Sequence, residues 1–183
     1  MAKVYVFLAD GFEDIEALGT VDILRRGGQD VKTVSITDNE YVETAHGVTV
    51  KADLCFGDAD FSDADMLVLP GGMPGAEHLN AHEGLRNALT AHAAAGRHIA
   101  AICAAPSVLA SLGLLEGRNA TAHAGFQDKL AGAIVHDEEV VVDGSITTSY
   151  GLGGAIPFAL ELVRQLAGPA EADRIQKAIA YRH

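Results

Sequence analysis

The apolar positions of this chain fall into short, nearly continuous runs separated by longer amphipathic stretches. Runs rich in Val, Ile and Leu predict buried strands, and amphipathic stretches bounded by turn residues predict helices. The predicted strands are 3–8, 31–37, 65–72 and 98–103, the predicted hairpins are 41–53 and 139–149, and the predicted helices lie within 10–28, 83–96, 105–113, 153–167 and 170–181.

The order of these elements predicts an α/β protein whose mostly parallel sheet is covered by helices on both faces. In such sheets, sites form beyond the carboxyl ends of the strands. No repeat, linker or low-complexity segment divides the sequence, so we expect one domain over 1–183. The residues expected on the buried face of the first helix are Ile15, Leu18, Val21 and Leu24.

Composition and charge narrow the classes of partner. The formal net charge of −12 argues against nucleic acid or an anionic membrane surface, because both bind basic faces. The first apolar stretch breaks at Asp10 and does not predict a secretory signal, and no run reaches the length of a membrane span. The two cysteines, Cys55 and Cys103, are too few for a disulfide framework. We expect a protein of the reducing cytoplasm.

Cys103 stands where a buried strand gives way to a predicted helix. A side chain at such a turn projects like the nucleophile of a strand–turn–helix elbow, and the N–H groups of the helix should lower the thiol pKa from roughly 8.5. Pro106 fits the first turn of that helix. A free cysteine also serves as a small buried apolar residue, the role we expect for Cys55. Position alone supports both interpretations of Cys103 equally.

Backbone N–H groups and acids near other strand ends could serve such a nucleophile. Gly71 and Gly72 could direct N–H groups toward an oxyanion, or could only form a tight turn. The acids Glu13, Asp14 and Glu16 could orient or protonate a thiol. Acids in a first helical turn are also favoured by the helix dipole alone, which is the simpler explanation.

His123 could act as a base toward Cys103 if it follows a short strand. It is one of eight histidines, so a surface or structural role is the better explanation of its position alone.

Four segments together resemble the ThiJ/PfpI superfamily in its DJ-one-like branch. Their order and spacing agree with that branch over nearly the whole chain, and jointly they are specific. The resemblance implies a flavodoxin-like three-layer sandwich that forms a homodimer. The segments are "LADGFEDIEALGTVDILRRGG" (8–28), "LVLPGGMPGAEHL" (67–79), "IAAICAAPSVLA" (99–110) and "DGSITTSYGLGGAIPFALELV" (143–163).

The resemblance also implies roles for particular residues. It identifies Cys103 as the reactive cysteine of the elbow and Glu16 as the acid hydrogen-bonded to its thiol. Gly72 and Ala104 would supply the backbone N–H groups of an oxyanion hole. His123 falls on the family's nearby histidine.

The sequence departs from the resembling proteins at several positions. Tyr150 and Leu152 stand where the human-like members carry arginine and proline, and His46 stands near the place of another arginine. These changes remove cations that could bind an anion beside the cysteine. Ala104 stands where the protease-like branch has a histidine after its nucleophile, which argues against an intracellular peptidase.

The activity that the resemblance implies is a cysteine-dependent, cofactor-independent conversion of methylglyoxal or glyoxal to hydroxy acids, or repair of their early adducts on proteins. If Cys103 is a thiolate, Glu16 should be protonated, because two negative charges in contact disfavour each other. The alternative is an oxidative-stress sensor or a holdase chaperone, because a reactive, accessible cysteine oxidises readily.

A class I glutamine amidotransferase is a further alternative, which needs a histidine and a glutamate in an H-x-E arrangement late in the chain. The triplet from His136 to Glu138 has this form, but a solvated turn explains it better. The sequence shows no ligand spacing typical of a metal site, no full dinucleotide fingerprint and no P-loop. We therefore expect no bound metal or cofactor.

Overall fold

The computed structural model describes residues 1–182. The predicted domain 1–183 ends on His183, which lies outside the described residues, and its extent stays a prediction. The strands are β1 (Lys3–Leu8), β2 (Asp30–Ser35), β3 (Tyr41–Glu43), β4 (Thr49–Lys51), β5 (Leu54–Cys55), β6 (Met66–Leu69), β7 (His98–Ile102), β8 (Asn119–Ala120), β9 (Ile134–Val135), β10 (Val140–Asp143) and β11 (Ile146–Ser149). The α-helices are α1 (Asp14–Arg26), α2 (Gly75–Ala81), α3 (Glu83–Ala94), α4 (Pro106–Ser111), α5 (Ala155–Ala167) and α6 (Pro169–Ala178).

A seven-stranded sheet in the order β10-β11-β7-β6-β1-β2-β5 forms the middle layer. Its neighbouring strands are parallel, except that β10 runs antiparallel to β11. The pair β3–β4 forms a separate antiparallel hairpin, and β8–β9 forms a short parallel pair. The predicted mostly parallel α/β architecture and both hairpins are confirmed.

Two apolar cores lie on opposite faces of this sheet, because side chains alternate along each strand. In β1, Val4 and Val6 pack with residues of α1, α5 and α6 on one face. Phe7 of the same strand packs with residues of α2, α3 and α4 on the other face. Strands buried on both sides explain the continuous apolar runs of the sequence, and the helices complete a three-layer sandwich.

Helix α1 differs from the prediction in the face that it buries. Val21 and Leu24 are buried, but Ile15 is 52% exposed and Leu18 is 37% exposed. Ala17, which is not part of the predicted stripe, is buried and lies one helical turn before Val21. Positions 17, 21 and 24 form one stripe at helical spacing, so the helix is rotated relative to the predicted stripe.

The carboxyl ends of four adjacent strands, β11, β7, β6 and β1, lie side by side. The residues that follow these strands therefore meet at one edge of the sheet, where sites of parallel α/β sheets form. None of the helices within residues 1–182 combines the length and the apolar character needed to cross a membrane.

Candidate active site

Cys103 is the first residue after β7, and its backbone adopts a left-handed conformation with φ of 65°. Its N–H donates to the Ser149 carbonyl over 2.9 Å, and its carbonyl accepts the His123 N–H over 3.0 Å. A non-glycine residue in this conformation costs about 1–2 kcal/mol. The neighbouring strand and loop therefore hold Cys103 in a strained turn, as expected for an elbow.

Glu16 lies in the first turn of α1 and is 1% exposed. Its Oε2 accepts the Gly71 N–H over 2.9 Å, and its carboxyl is hydrogen-bonded to the thiol of Cys103. No N–H or O–H group within residues 1–182 donates to its buried Oε1. A carboxyl with one such orphaned oxygen is better suited to carry a proton than a negative charge.

Burial dominates the ionisation of both groups. It raises the pKa of Glu16 to about 7, although the Cys103 thiol and the Gly71 N–H oppose this rise. Burial, followed by the charge of an ionised Glu16, raises the pKa of Cys103 to about 12. The prediction of a lowered thiol pKa is therefore wrong for the site with ionised Glu16, because two backbone N–H groups do not offset burial and a neighbouring carboxylate.

The two groups titrate as one unit. The pair loses its first proton near pH 7, where the pKa of Glu16 lies. The proton that remains can lie on the carboxyl oxygen or on the sulfur. When it lies on Glu16, the repulsion that raises the thiol pKa is removed and the carboxyl becomes a donor to the sulfur.

The backbone N–H groups of Gly72 and Ala104 act on the Cys103 sulfur and lower its pKa. The structure therefore brings both predicted oxyanion-hole donors to the predicted nucleophile. Gly71 contributes by its lack of a side chain, since a Cβ there would lie 2.6 Å from the Cys103 Cβ and 2.7 Å from Glu16 Oε2. The loop after β6 can therefore approach the thiol this closely only because position 71 is glycine.

His123 is exposed and begins a 3-10 helix at Ala124–Lys129. Its Nδ1 accepts the Gly125 N–H over 3.2 Å, so the neutral ring carries its proton on Nε2. A Cβ placed on Gly151 would lie 3.6 Å from the ring Cδ2 of His123 and 3.7 Å from the Cys103 sulfur. The ring and the thiol thus border the same small space.

A cavity of about 340 Å³ continues from this space. Tyr150 and Leu152, the two departures from the human-like members, both line it. No lysine or arginine is among its lining residues in the described part of the chain, and Asp137 adds a carboxylate.

Glu13, Asp14 and His46 are the residues within 1–182 that could offer three metal ligands within 4.8 Å of one another. His46 Nδ1 instead bonds Asp14 Oδ2 over 2.8 Å, and this contact raises the pKa of His46 and lowers that of Asp14. Glu13 caps α1 by accepting the Glu16 N–H. These contacts use lone pairs that a metal would need, and a helix N-terminus disfavours a cation.

The H-x-E residues of the amidotransferase alternative have other partners. The His136 ring bonds Asn119 Oδ1 over 2.6 Å, and its Nδ1 lies 3.8 Å from Glu138 Oε1. Cys55 lies in the edge strand β5, and burial raises its pKa.

Comparison with known proteins agrees with this geometry. Residues 2–165 match the DJ-1/PfpI family. DJ-1 homolog A of Arabidopsis thaliana is 39% identical over 98% of this chain, and the chain spans 46% of that protein's length and 42% of the length of DJ-1 homolog B. A deglycase of Thermococcus kodakarensis is 35% identical, covering 90% of this chain and 99% of that protein. The structure of oxidised DJ-1 from Toxoplasma gondii, 38% identical, matches with a TM-score of 0.96 over 100% of both chains.

The chain therefore belongs to the DJ-1/PfpI family. This membership confirms the resemblance drawn from the four sequence segments and the flavodoxin-like fold that it implied.

Sequence reasoning passed over two contributors to the site. Glu13 is one of the three candidate acids, for which the helix dipole is the simpler explanation, but its role in holding Glu16 was not predicted: its side chain accepts the Glu16 N–H and its own N–H donates to the Gly71 carbonyl. An acid three residues before Glu16 resembles a capping box, which was a usable signal. Gly151 carried no signal, because its importance arises from how closely it approaches Cys103.

Proposed function

We propose that this protein is a cysteine-dependent, cofactor-independent glyoxalase or deglycase that acts on methylglyoxal, glyoxal or their early protein adducts. The observation that carries this proposal is the buried Glu16 carboxyl bonded to the Cys103 thiol, with the Gly72 and Ala104 N–H groups on the same sulfur. A nucleophile, a proton carrier and a pair of donors meet at one point. The deglycase name of the Thermococcus relative supports the same reaction class.

The first step on methylglyoxal is attack by the Cys103 thiolate on the aldehyde carbon. A C–S bond forms and the carbonyl electrons move to oxygen, where the Gly72 and Ala104 N–H groups stabilise the charge. Glu16 then donates its proton to this oxygen, which gives a neutral hemithioacetal and leaves the carboxylate as a base.

The second step moves hydrogen between the two carbons. The Glu16 carboxylate removes the proton from the former aldehyde carbon, and the electron pair of that C–H bond moves toward the ketone oxygen to give an enediolate. Glu16 returns the proton to the neighbouring carbon, and the hydroxyl proton of the former aldehyde carbon moves to the former ketone oxygen. The aldehyde carbon is oxidised to a thioester and the ketone carbon is reduced to an alcohol, so no external oxidant or cofactor is needed. Water releases lactate and returns the thiol, and the Nε2–H of His123 can donate toward the adduct.

The test of this activity is lactate formation from methylglyoxal by the wild-type protein and by Cys103→Ser. Lactate formation that requires Cys103 supports the proposal. To separate adduct repair from turnover of free aldehyde, a preformed arginine adduct is supplied together with a scavenger of free methylglyoxal. Loss of all turnover under these conditions assigns the activity to the free aldehyde.

A non-enzymatic redox role is the second candidate. The Cys103 side chain is only partly buried, and the N–H groups on its sulfur would also stabilise a sulfinate anion. The relative from Toxoplasma gondii was solved in an oxidised form. Peroxide treatment followed by mass spectrometry, with Cys55 as the internal control, tests this role. Selective sulfinate at Cys103 without aldehyde turnover favours a sensor or holdase chaperone.

We also propose that the chain forms a homodimer and works in the cytoplasm on these small substrates. Ile15 and Leu18 expose apolar side chains one helical turn apart on α1, and Leu152 and Ile156 are also exposed. Light scattering of the wild-type protein and of Ile15→Glu tests the dimer. A monomeric wild-type protein contradicts it.

A further inference from the structure

Three hydrogen bonds join Glu13, Glu16 and Gly71 in a closed ring. The Glu13 N–H donates to the Gly71 carbonyl over 2.9 Å, and the Gly71 N–H donates to Glu16 Oε2 over 2.9 Å. The Glu16 N–H donates back to Glu13 Oε2 over 2.8 Å. The carboxyl of Glu16 is therefore fixed both through its own helix and through the loop after β6.

We infer that Glu13 is a positioning residue whose negative charge moves the shared proton of the Glu16–Cys103 pair toward Glu16, which raises the share of the negative charge that the sulfur carries. This inference rests on the proposed role of the pair as proton carrier and nucleophile. It does not depend on which aldehyde the enzyme uses.

Packing holds the Glu13 charge in place. Glu13 is 9% exposed, and its carboxylate is bound at the start of α1 as the helix cap. A Cβ on Gly72 would overlap the backbone nitrogen of Glu13, so the two loops are in contact. The backbone of Glu13 is thereby held against the loop after β6.

The charge of Glu13 acts directly on Glu16. The Glu13 Oε2 lies 2.8 Å from the Glu16 backbone nitrogen, and the charge of Glu13 raises the pKa of Glu16. A nearby negative charge disfavours ionisation of the group it faces. The Glu13 carboxylate therefore disfavours a negative charge on the Glu16 oxygens, and this moves the proton toward Glu16.

The other charged groups near Glu13 belong to α1 and to the hairpin β3–β4. On α1 they are Asp14 and Glu16, and the hairpin β3–β4 contributes His46, which pairs with Asp14. The loop after β6 meets Glu13 with Gly71 and Gly72, which do not titrate. Asp14 is not among the groups that shift the pKa of Glu16, although it neighbours Glu13 in sequence. Asp14→Asn is therefore a matched control for loss of one negative charge.

The test separates the charge of Glu13 from its capping role. Glu13→Gln and Glu13→Ser keep an acceptor for the Glu16 N–H without the charge, and Glu13→Asp keeps both. The rate of Cys103 alkylation by iodoacetamide is measured across pH, with mass spectrometry to distinguish Cys103 from Cys55. Circular dichroism confirms that each variant is folded.

We expect the two neutral caps, Glu13→Gln and Glu13→Ser, to lower the alkylation rate of Cys103 above neutral pH by about threefold or more. They should also move the midpoint of the plot of alkylation rate against pH to lower pH. Glu13→Asp and Asp14→Asn should keep the wild-type profile. Neutral caps with a wild-type profile, or an equal shift in Asp14→Asn, would overturn the inference. If one neutral cap does not fold, the other decides. A wild-type protein that forms no lactate contradicts the proposed function but leaves this comparison valid.

Discussion

The Glu16 carboxyl and the Cys103 thiol are hydrogen-bonded to each other, and each also interacts with a backbone N–H group of the loop after β6. Gly71 donates to Glu16, and Gly72, together with Ala104, acts on Cys103. The loop thus supports a negative charge on either member of the pair. Because the pKa of Glu16 is raised to about 7, its carboxyl is present in both the protonated and the ionised form near neutral pH.

Glu16→Gln should separate the reactivity of the thiol from turnover. The amide keeps a donor for the sulfur but cannot carry a proton, so alkylation of Cys103 should persist while lactate formation falls by about 10²-fold or more. Parallel iodoacetamide and lactate assays measure the two quantities. Unchanged turnover in Glu16→Gln would remove Glu16 as the proton carrier.

The buried Glu16 should also make stability depend on pH. Its pKa rises from 4.5 to about 7 on folding, so the folded state binds more protons between these values. The stabilising contribution is complete below the ordinary pKa and is lost as pH rises through about 7, with an upper value of about 3 kcal/mol. The free energy of unfolding in urea measures this loss.

Glu16→Gln provides the comparison for that pH dependence, because an amide does not ionise. The free energy of unfolding of this variant, minus that of wild type, should increase as the pH rises from below 4.5 to above about 7. A constant difference across that range would show that folding does not raise the pKa of Glu16.

Gly72→Ala should disrupt the contact between two site loops. Gly72 has φ of 90°, and an added Cβ would overlap the Glu13 nitrogen, so the cost should exceed about 3 kcal/mol. Gly96→Ala is the control, because Gly96 has φ of 69° with nothing within 4 Å of an added Cβ and should cost only about 1 kcal/mol. Equal losses in urea unfolding would show that backbone strain alone explains both positions.

Because the backbone of Cys103 is strained, two variants that remove its side chain should differ in stability in an unusual order. Cys103 has φ of 65°, a left-handed conformation that glycine adopts without strain and alanine does not. Cys103→Gly should therefore be at least as stable as Cys103→Ala, and more stable by about 1 kcal/mol if the strain is fully relieved. Thermal unfolding of the two variants measures the difference. A clearly more stable alanine variant would contradict a strained elbow.

Most of the fold could be predicted because the strands that build it are long and buried on both faces. The two-residue strands β5 and β9 were missed, because they are too short to show a period. The face of α1 was misassigned because Ala17 does not stand out as a core residue in the sequence, although it is buried there.

The residues of the site could be predicted by resemblance, but their electrostatics could not. The position of Cys103 before a helix suggested a lowered thiol pKa, whereas burial beside Glu16 raises it. The partnership of Glu13 with Gly71 joins segments far apart in the sequence, so no local pattern reveals it.

The measurement that tests the central claim most directly is the amount of lactate formed per methylglyoxal consumed, in wild type and in Cys103→Ser. The account predicts one lactate for each methylglyoxal consumed by the reduced wild-type protein and none from the folded variant. Equal lactate from both proteins, or consumption of methylglyoxal without lactate, would contradict catalysis by Cys103.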